Sequence, residues 1–166
     1  MEQTKQLQKE ENVALVVIRV RGEVGLHQDT KRTFDMLRLR KKHACVVVNF
    51  SNAKSMIKKI KDFTTFGEID KETLVKLLRT RGRIAGNTPL TEEFLKAKTK
   101  YDFEEFADAI LEGKISFNDV PGLKPFFRLQ PPKGGFERAG IKRGYGQGGV
   151  LGYRAKDINK LLGKMI

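Results

Sequence analysis

The segment VALVVIRV, residues 13–20, is almost wholly apolar and rich in β-branched side chains. This pattern is typical of a strand that is buried on both faces of a sheet. A second apolar segment, ACVVV at residues 44–48, predicts another strand. Residues 63–69 predict a third, weaker strand, in which Gly67 indicates a bulge. The fold is built outward from these three strands.

Helical patterns follow the strands. Asp29 is the predicted N-cap of a first helix, which carries Phe34 and Leu37 inward. Ser51 or Asn52 is the predicted N-cap of a second helix. One apolar stripe runs along this second helix and consists of Ala53, Met56, Ile57 and Ile60.

A third helix is predicted between Asp70, its N-cap, and Gly82, near which it ends. The order of elements is therefore β-α-β-α-β-α. Because a helical crossover joins the first two strands, we expect them to be parallel. A third strand lying antiparallel beside the first would place both long helices on one face of a small sheet. This is an α+β fold.

Charge gives the clearest functional signal. The 166 residues include 33 Lys and Arg against 20 Asp and Glu, a net charge of +13. Such an excess predicts a polyanionic partner, with nucleic acid ahead of an acidic membrane surface. The net charge is +9 over residues 1–83, −4 over residues 84–123 and +8 over residues 124–166. We therefore predict a basic folded core from residue 13 to residue 83, an acidic helical insertion, and a basic glycine-rich tail with a terminal helix.

The composition excludes several classes of protein. A single Cys cannot form an internal disulfide, and one Cys with two His is too few for the four ligands of a structural zinc site. The first dozen residues are polar and charged, unlike a secretory signal. The longest apolar run, Val13–Ile18, is far shorter than the ~20 residues of a membrane-spanning helix. We expect a soluble, cytoplasmic protein with no membrane partner, small-molecule substrate, metal or cofactor.

Two further helices are predicted in the acidic insertion. Thr91 is the N-cap of the first, and Asp102 with Glu105 forms a capping box at the start of the second. Gly113 is the predicted stop of the second helix. Its amphipathic stripe consists of Phe103, Phe106, Ala107, Ile110 and Leu111.

The tail is rich in glycine, with eight of the sixteen glycines in residues 134–152. Because the few apolar groups of residues 130–152 cannot offset the entropy of ordering, we expect this longer loop to be mobile in the free protein and ordered on RNA. A terminal helix at residues 156–164 should stay docked. Gly144, Gly146 and Gly149 match G-x-G-x-x-G, but no strand precedes them, which favours an RNA-contacting loop over a nucleotide site.

No pattern indicates catalysis. Cys45 lies within an apolar strand, as a buried small hydrophobe does. An acid–base role for His27 or His43 would need a nucleophile or a second titrating group nearby, and no sequence motif supplies one. The adjacent carboxylates Glu92–Glu93 and Glu104–Glu105 do not face each other on a helix. We predict that the chain is not an enzyme.

The candidate RNA-binding residues are basic. Arg38, Arg40, Lys41 and Lys42, called the basic turn below, lie between the first helix and the second strand. Taken alone, this run also fits a solvated basic face, but basic residues interleaved with glycine in the tail favour contact with structured RNA. The neighbours of the basic turn are Arg19, Arg21, Lys31 and Arg32, and the tail candidates are Arg128, Lys133, Arg138, Lys142, Arg143 and Arg154.

Two stretches resemble a known family. FDMLRLRKKHA at residues 34–44 covers a helix end and the basic turn. PFFRLQPPKGGF at residues 125–136 is followed by GYR at residues 152–154 and DINKLL at residues 157–162. Together they resemble the L-thirty family of large-subunit ribosomal proteins, in its longer archaeal and eukaryotic branch (L-seven in eukaryotes), over nearly the whole chain from Val13.

The resemblance implies a truncated ferredoxin-like β-α-β-α-β core with a helical insertion and an extended basic C-terminal segment. It implies a structural constituent of the large ribosomal subunit that binds large-subunit rRNA, adjoins other large-subunit ribosomal proteins and has no catalytic activity. By matching positions, the basic turn would face RNA. Arg128, Lys133, Gly134 and Gly135 would lie in the family's tail motif.

The residues alone leave two other functions open. One is a free-standing RNA- or DNA-binding regulator with a ferredoxin-like core, although the strands lack the aromatic pattern of an RRM. The other is an enzyme acting on nucleic acid, which would need an acidic metal-binding cluster at the strand ends that the sequence does not show.

Overall fold

A computed structural model describes residues 13–166 of the chain. Five strands form one mixed sheet. Their bounds are β1 at Ala14–Arg19, β2 at Ala44–Asn49, β3 at Thr64–Glu68, β4 at Phe127–Arg128 and β5 at Gly152–Tyr153. They lie side by side in the order β4-β2-β1-β3-β5.

Six α-helices accompany the sheet within the described residues. Their bounds are α1 at Gln28–Met36, α2 at Phe50–Ile60, α3 at Lys71–Arg81, α4 at Glu92–Thr99, α5 at Phe103–Leu111 and α6 at Ile158–Met165. The predicted β-α-β-α-β-α order and the α+β class are confirmed. The terminal helix α6 begins two residues later than predicted, after a 3₁₀ turn at Ala155–Asp157. None of the helices in residues 13–166 is both long enough and apolar enough to cross a membrane.

The predicted parallel pairing of the first two strands is wrong. β1 and β2 are antiparallel, with Leu15 opposite Val48 and Ile18 opposite Cys45. The chain leaves β1 and enters β2 at the same end of the sheet, so α1 is not a crossover helix. The crossover is α2, which joins β2 to β3 with β1 between them. The predicted antiparallel pairing of the third strand with the first is confirmed.

The two faces of the sheet pack on different helices. Leu15 and Val17 of β1 share one hydrophobic cluster with α1 and α2, as predicted for the two long helices. Val16 and Ile18 share another with α3, α5 and α6. None of residues 14–18 is more than 7% exposed, which confirms a strand buried on both faces. The acidic insertion adds the apolar stripe of α5 to this second cluster.

The predicted N-caps of the first two helices are wrong by two or three residues. α1 begins after His27 rather than Asp29, because the imidazole Nδ1 accepts a hydrogen bond from the Asp29 amide (3.4 Å). α2 begins after Asn49 rather than Ser51 or Asn52, because β2 pairs up to Asn49 and runs directly into the helix. The other predicted caps are confirmed: Asp70, Thr91 and Asp102 precede α3, α4 and α5, and Gly82 and Gly113 follow α3 and α5.

The bulge predicted at Gly67 is also wrong. β1 and β3 pair in continuous register, with Val16 opposite Gly67 and Val17 opposite Phe66. A Cβ at Gly67 would lie 2.2 Å from the carbonyl oxygen of Ala155, just before α6. The glycine is therefore needed for the close approach of the terminal segment to the sheet.

Candidate nucleic-acid interface

The basic turn reverses the chain between α1 and β2. The amide of Leu39 donates to the carbonyl of Phe34 (2.8 Å), and the Leu39 side chain is fully buried. Arg38 has a left-handed φ of 58°, which turns the chain after the helix. All four cations of the basic turn are exposed, and Arg40 Nε donates to Asp35 Oδ1 (2.9 Å), so the fold anchors the backbone and leaves these side chains at the surface.

The buried side chain of Arg19 hydrogen-bonds to the main chain of the basic turn. Its guanidinium is 1% exposed, and its Nη1 donates to the carbonyls of Leu39 (2.7 Å) and Arg40 (2.8 Å). The group also lies 4.1 Å from the ring centre of Phe34. Burial lowers the pKa of Arg19, and the Glu23 carboxylate opposes that shift. Arg19 therefore positions the basic turn and does not present its own charge outward.

β4 brings the tail motif beside the basic turn. Arg128 lies opposite Ala44 in the sheet, and the amide of Leu129 donates to the carbonyl of His43 (2.9 Å). The His43 ring stacks on Phe136 with 6.1 Å between ring centres. Burial lowers the pKa of His43, with Lys42 adding to the shift, which favours a neutral packing role. The two segments that carry the family resemblance are thus joined by hydrogen bonds.

The glycine-rich loop of the tail, residues 134–151, lies against the same end of the sheet. Val150 and Leu151 are buried with Val20, the residue that follows β1. The side chains of Phe136 and Ile141 pack against this small cluster. Five of the predicted RNA-binding cations of the tail are exposed, namely Arg128, Lys133, Arg138, Lys142 and Arg143.

Arg154 links this loop to the sheet through side-chain hydrogen bonds. The Arg154 side chain is buried, with 4% of the residue exposed. Its guanidinium forms a bidentate ion pair with the Glu137 carboxylate, and its Nε donates to Thr65 Oγ1 (2.8 Å). It also donates to the carbonyl of Val150 (3.2 Å) and lies 4.6 Å from the ring centre of Tyr145. The hydrogen bond from Arg154 lowers the pKa of the Glu137 carboxyl. Like Arg19, Arg154 positions a basic segment from inside the protein.

The remaining candidates lie on the flanks. Arg21 is half-buried, donates to the carbonyl of Asp62 (3.1 Å) and lies 4.8 Å from the ring centre of Phe63. Lys31 and Arg32 are exposed on α1, and Lys31 lines a cleft with Arg19 and Arg40. The strand registers therefore gather Arg21, the basic turn and the exposed tail cations at one end of the sheet.

Gly134 and Gly135 have φ values of 81° and 78°, which favour glycine. Apart from their chain neighbours, no atom of the described residues lies within 4 Å of the position where either Cβ would be built. Their backbone is therefore open to close approach by a ligand.

The other motifs have no catalytic geometry. A 3₁₀ turn at Tyr145–Gln147 contains Gly146 and is flanked by Gly144 and Gly149. No strand leads into this turn. Cys45 is fully buried, and burial raises the pKa of its thiol. Within the described residues, no cluster of three His, Cys, Asp or Glu side chains could hold a metal ion.

Sequence reasoning missed three cations, Arg81, Arg83 and Lys124, which line a cleft with Arg128. The residues are distant in the chain and only the fold brings them together. The one local signal is the RTRGR run at residues 79–83, where cations continue past the end of α3.

Comparison with known proteins identifies the family of this chain. A family model described as ribosomal protein L30p/L7e matches residues 15–63, which run from β1 through the basic turn to the end of α2 and just beyond. The large ribosomal subunit protein uL30 of Methanococcus maripaludis is 49% identical over 155 residues, covering 93% of this chain and all of that protein. The chain belongs to the ribosomal protein L30p/L7e family.

Other archaeal relatives extend the likeness to the tail. The uL30 protein of Methanopyrus kandleri is 46% identical over 89% of this chain and all of its own length. That of Archaeoglobus fulgidus is 48% identical over 90% of this chain and 97% of its own. The resemblance to the long branch of the L30p/L7e family is confirmed, as is the prediction that the chain is not an enzyme.

Proposed function

We propose that this chain is a structural constituent of the large ribosomal subunit that binds and stabilises large-subunit rRNA through the basic turn and the glycine-rich tail. The pairing of β2 with β4 carries this proposal, because it joins the basic turn to Arg128. Two basic segments that are distant in the chain thereby act as one surface. The family relationship supports the same function, since the relatives are named as large-subunit proteins.

The mechanism is electrostatic. Lys and Arg side chains neutralise clustered phosphates and release their counterions, which makes binding strongly dependent on salt. The open backbone at Gly134 and Gly135 allows phosphates to approach closely. Arg19 and Arg154 are buried, so in this mechanism they position the contact segments and do not touch RNA.

The acidic insertion serves a different purpose in this proposal. The outer face of α5 carries Glu104, Glu105 and Asp108 and would repel a polyanion, whereas α4 carries two glutamates and two lysines. We assign the outer faces of both helices to neighbouring large-subunit proteins or to solvent. In this proposal the core at 13–83, the insertion at 84–123 and the tail at 124–166 differ in the surfaces that they present. The insertion has no separate core, because it shares the hydrophobic core of β1 and α3.

The test compares two variants in which the same number of charges is removed. The first replaces Arg38, Arg40, Lys41 and Lys42 with Ala. The matched control replaces the four exposed lysines on and just after α2, which are Lys54, Lys58, Lys59 and Lys61. Each tagged chain is expressed in an archaeal host, and its sedimentation with large subunits at moderate salt is measured.

We expect the control and the parent chain to sediment with the large subunit and the basic-turn variant to be depleted from it. Binding of the variant to deproteinised large-subunit RNA should show a shallower salt dependence, by about 0.7–0.9 in slope for each phosphate that is no longer neutralised. A parent chain that stays in the soluble fraction would instead favour a free-standing regulator. An unchanged salt slope would show that the basic turn does not touch phosphate.

A further inference from the structure

A cleft of about 460 Å³ lies between the end of α3 and β4. Four of its six lining residues are cations and none is acidic. The lining residues are Arg81, Arg83, Asn87, Lys124, Phe126 and Arg128, and they are called the β4 cleft below. Of these, only Arg128 belongs to the interface already described.

The backbone segments that carry Arg83, Lys124 and Arg128 are held in place by main-chain pairing. The amide of Lys124 donates to the carbonyl of Arg83 (2.9 Å), and Ile84 pairs with Leu123 in an antiparallel bridge. Arg128 is fixed by its pairing with Ala44. The positive charges are therefore placed side by side by the fold.

The β4 cleft also has spare hydrogen-bond donors. The Nη2 of Arg81 donates to the main-chain oxygen of Ile166 (2.8 Å), but its buried Nε has no partner within the described residues. Lys124 Nζ has a long contact, 3.4 Å, with Asn87 Oδ1.

A cleft lined by one sign of charge concentrates the field and attracts an oppositely charged ligand. Guanidinium groups match the oxygens of phosphate in geometry as well as in charge. Arg128 connects the β4 cleft to the basic turn, so one polyanion could follow both. Phe126 adds an apolar wall against which a ribose or base can pack.

We propose that the β4 cleft binds a phosphate group of the large-subunit rRNA backbone, extending the RNA interface from the basic turn along β4 to the end of α3. This inference rests on the proposed function and adds Arg81, Arg83 and Lys124 to the contact residues. An acidic protein segment is the other occupant that the charge would admit, but it would not account for the continuity with the basic turn.

The test uses the full chain and deproteinised large-subunit RNA from Methanococcus vannielii. One variant carries Arg83→Gln with Lys124→Gln, and a second carries Lys124→Gln alone in case the double change impairs folding. The matched control is Lys98→Gln with Lys100→Gln, two exposed cations of the acidic insertion. Affinity is measured over a series of KCl concentrations, with the urea unfolding midpoint as a check on the fold.

We expect the double variant to bind more weakly, with a salt slope shallower by about 0.7–0.9 for each phosphate that is no longer neutralised, and the control to match the parent. In assembled subunits, Lys124 should crosslink to RNA. Equal slopes in the parent and both cleft variants, equal weakening in the cleft variant and the control, or a Lys124 crosslink to protein would each overturn the inference. If the basic-turn variant still binds more weakly in those cases, the proposed function stands; if the parent does not bind RNA, the proposed function fails as well.

Discussion

The basic turn and the glycine-rich loop of the tail present cations at the same end of the sheet, yet they are built differently. The basic turn rests on a large core, with Leu39 fully buried and strand β2 following at once. The loop at 134–151 has a cluster of only three buried side chains, Val20, Val150 and Leu151. The basic turn is therefore packed more extensively than the loop that presents the other cations.

Each segment depends on one buried arginine. Arg19 donates to carbonyls of the basic turn, and Arg154 binds Glu137 and Val150 of the loop. The charge of a residue therefore does not by itself mark it as an RNA contact. Cations inside the protein shape the surface that the exposed cations use.

The largest expected effect is at Arg19. Replacing it with Met leaves the carbonyls of Leu39 and Arg40 without their donor, at about 1–3 kcal/mol for each stranded group. We expect the free energy of unfolding to fall by roughly 2–6 kcal/mol, measured by urea denaturation. Arg21→Met is the control, because Arg21 is only half-buried. Similar small decreases in both variants would show that Arg19 does not support the turn.

The next largest decrease in the free energy of unfolding is expected in the hydrophobic core beneath the basic turn. Ile57 of α2 is 3% exposed and shares a cluster with Leu39 and Val17. Ile57→Ala should cost on the order of 2–4 kcal/mol through reduced burial and the cavity that remains. A change in the free energy of unfolding below about 0.5 kcal/mol would mean that this face of α2 does not carry the core.

A smaller, pH-dependent effect is expected in the loop. The hydrogen bond from Arg154 lowers the pKa of Glu137 in the folded protein. Its stabilising contribution is therefore full above the unfolded pKa of about 4.3 and is lost as the pH falls through the folded value. The difference in melting temperature between the parent and Glu137→Gln should be largest near neutral pH and vanish in acid. A difference that grows in acid would contradict the ion pair.

The smallest expected free-energy differences concern local opening of the glycine-rich loop of the tail. We predict that amide hydrogens across residues 134–149 exchange rapidly in the free protein, whereas those of Leu39 and His43 in and beside the basic turn are protected. Binding of rRNA should slow exchange in the loop. Strong protection across the loop without RNA would show that the fold alone orders it.

Local patterns in the sequence were sufficient for most elements. The apolar run at 13–20 and the stripes of α2 and α5 predict buried faces, because burial follows the periods of strand and helix. Strand pairing depends on where distant segments meet, so the antiparallel pairing of β1 with β2 was not predicted. The cap of α2 was misplaced because β2 runs into the helix without a connecting loop.

The site was predictable only in part. The exposed cations of the basic turn follow from composition and order, but the burial of Arg19 and Arg154 depends on tertiary contacts. Arg19 did carry a signal, since it falls inside the apolar strand VALVVIRV, where an exposed side chain is unexpected. No comparable pattern links Arg83 with Lys124, which meet only after the chain folds.

The central claim is that the basic turn and the tail contact rRNA as one surface. A map of lysine crosslinks on the assembled large subunit tests it most directly. The account predicts crosslinks to rRNA from Lys41, Lys42, Lys133 and Lys142, and none from Lys96 or Lys114, which pair with carboxylates of the acidic insertion. Crosslinks to rRNA from the insertion, with only protein crosslinks from the basic turn and the tail, would contradict it.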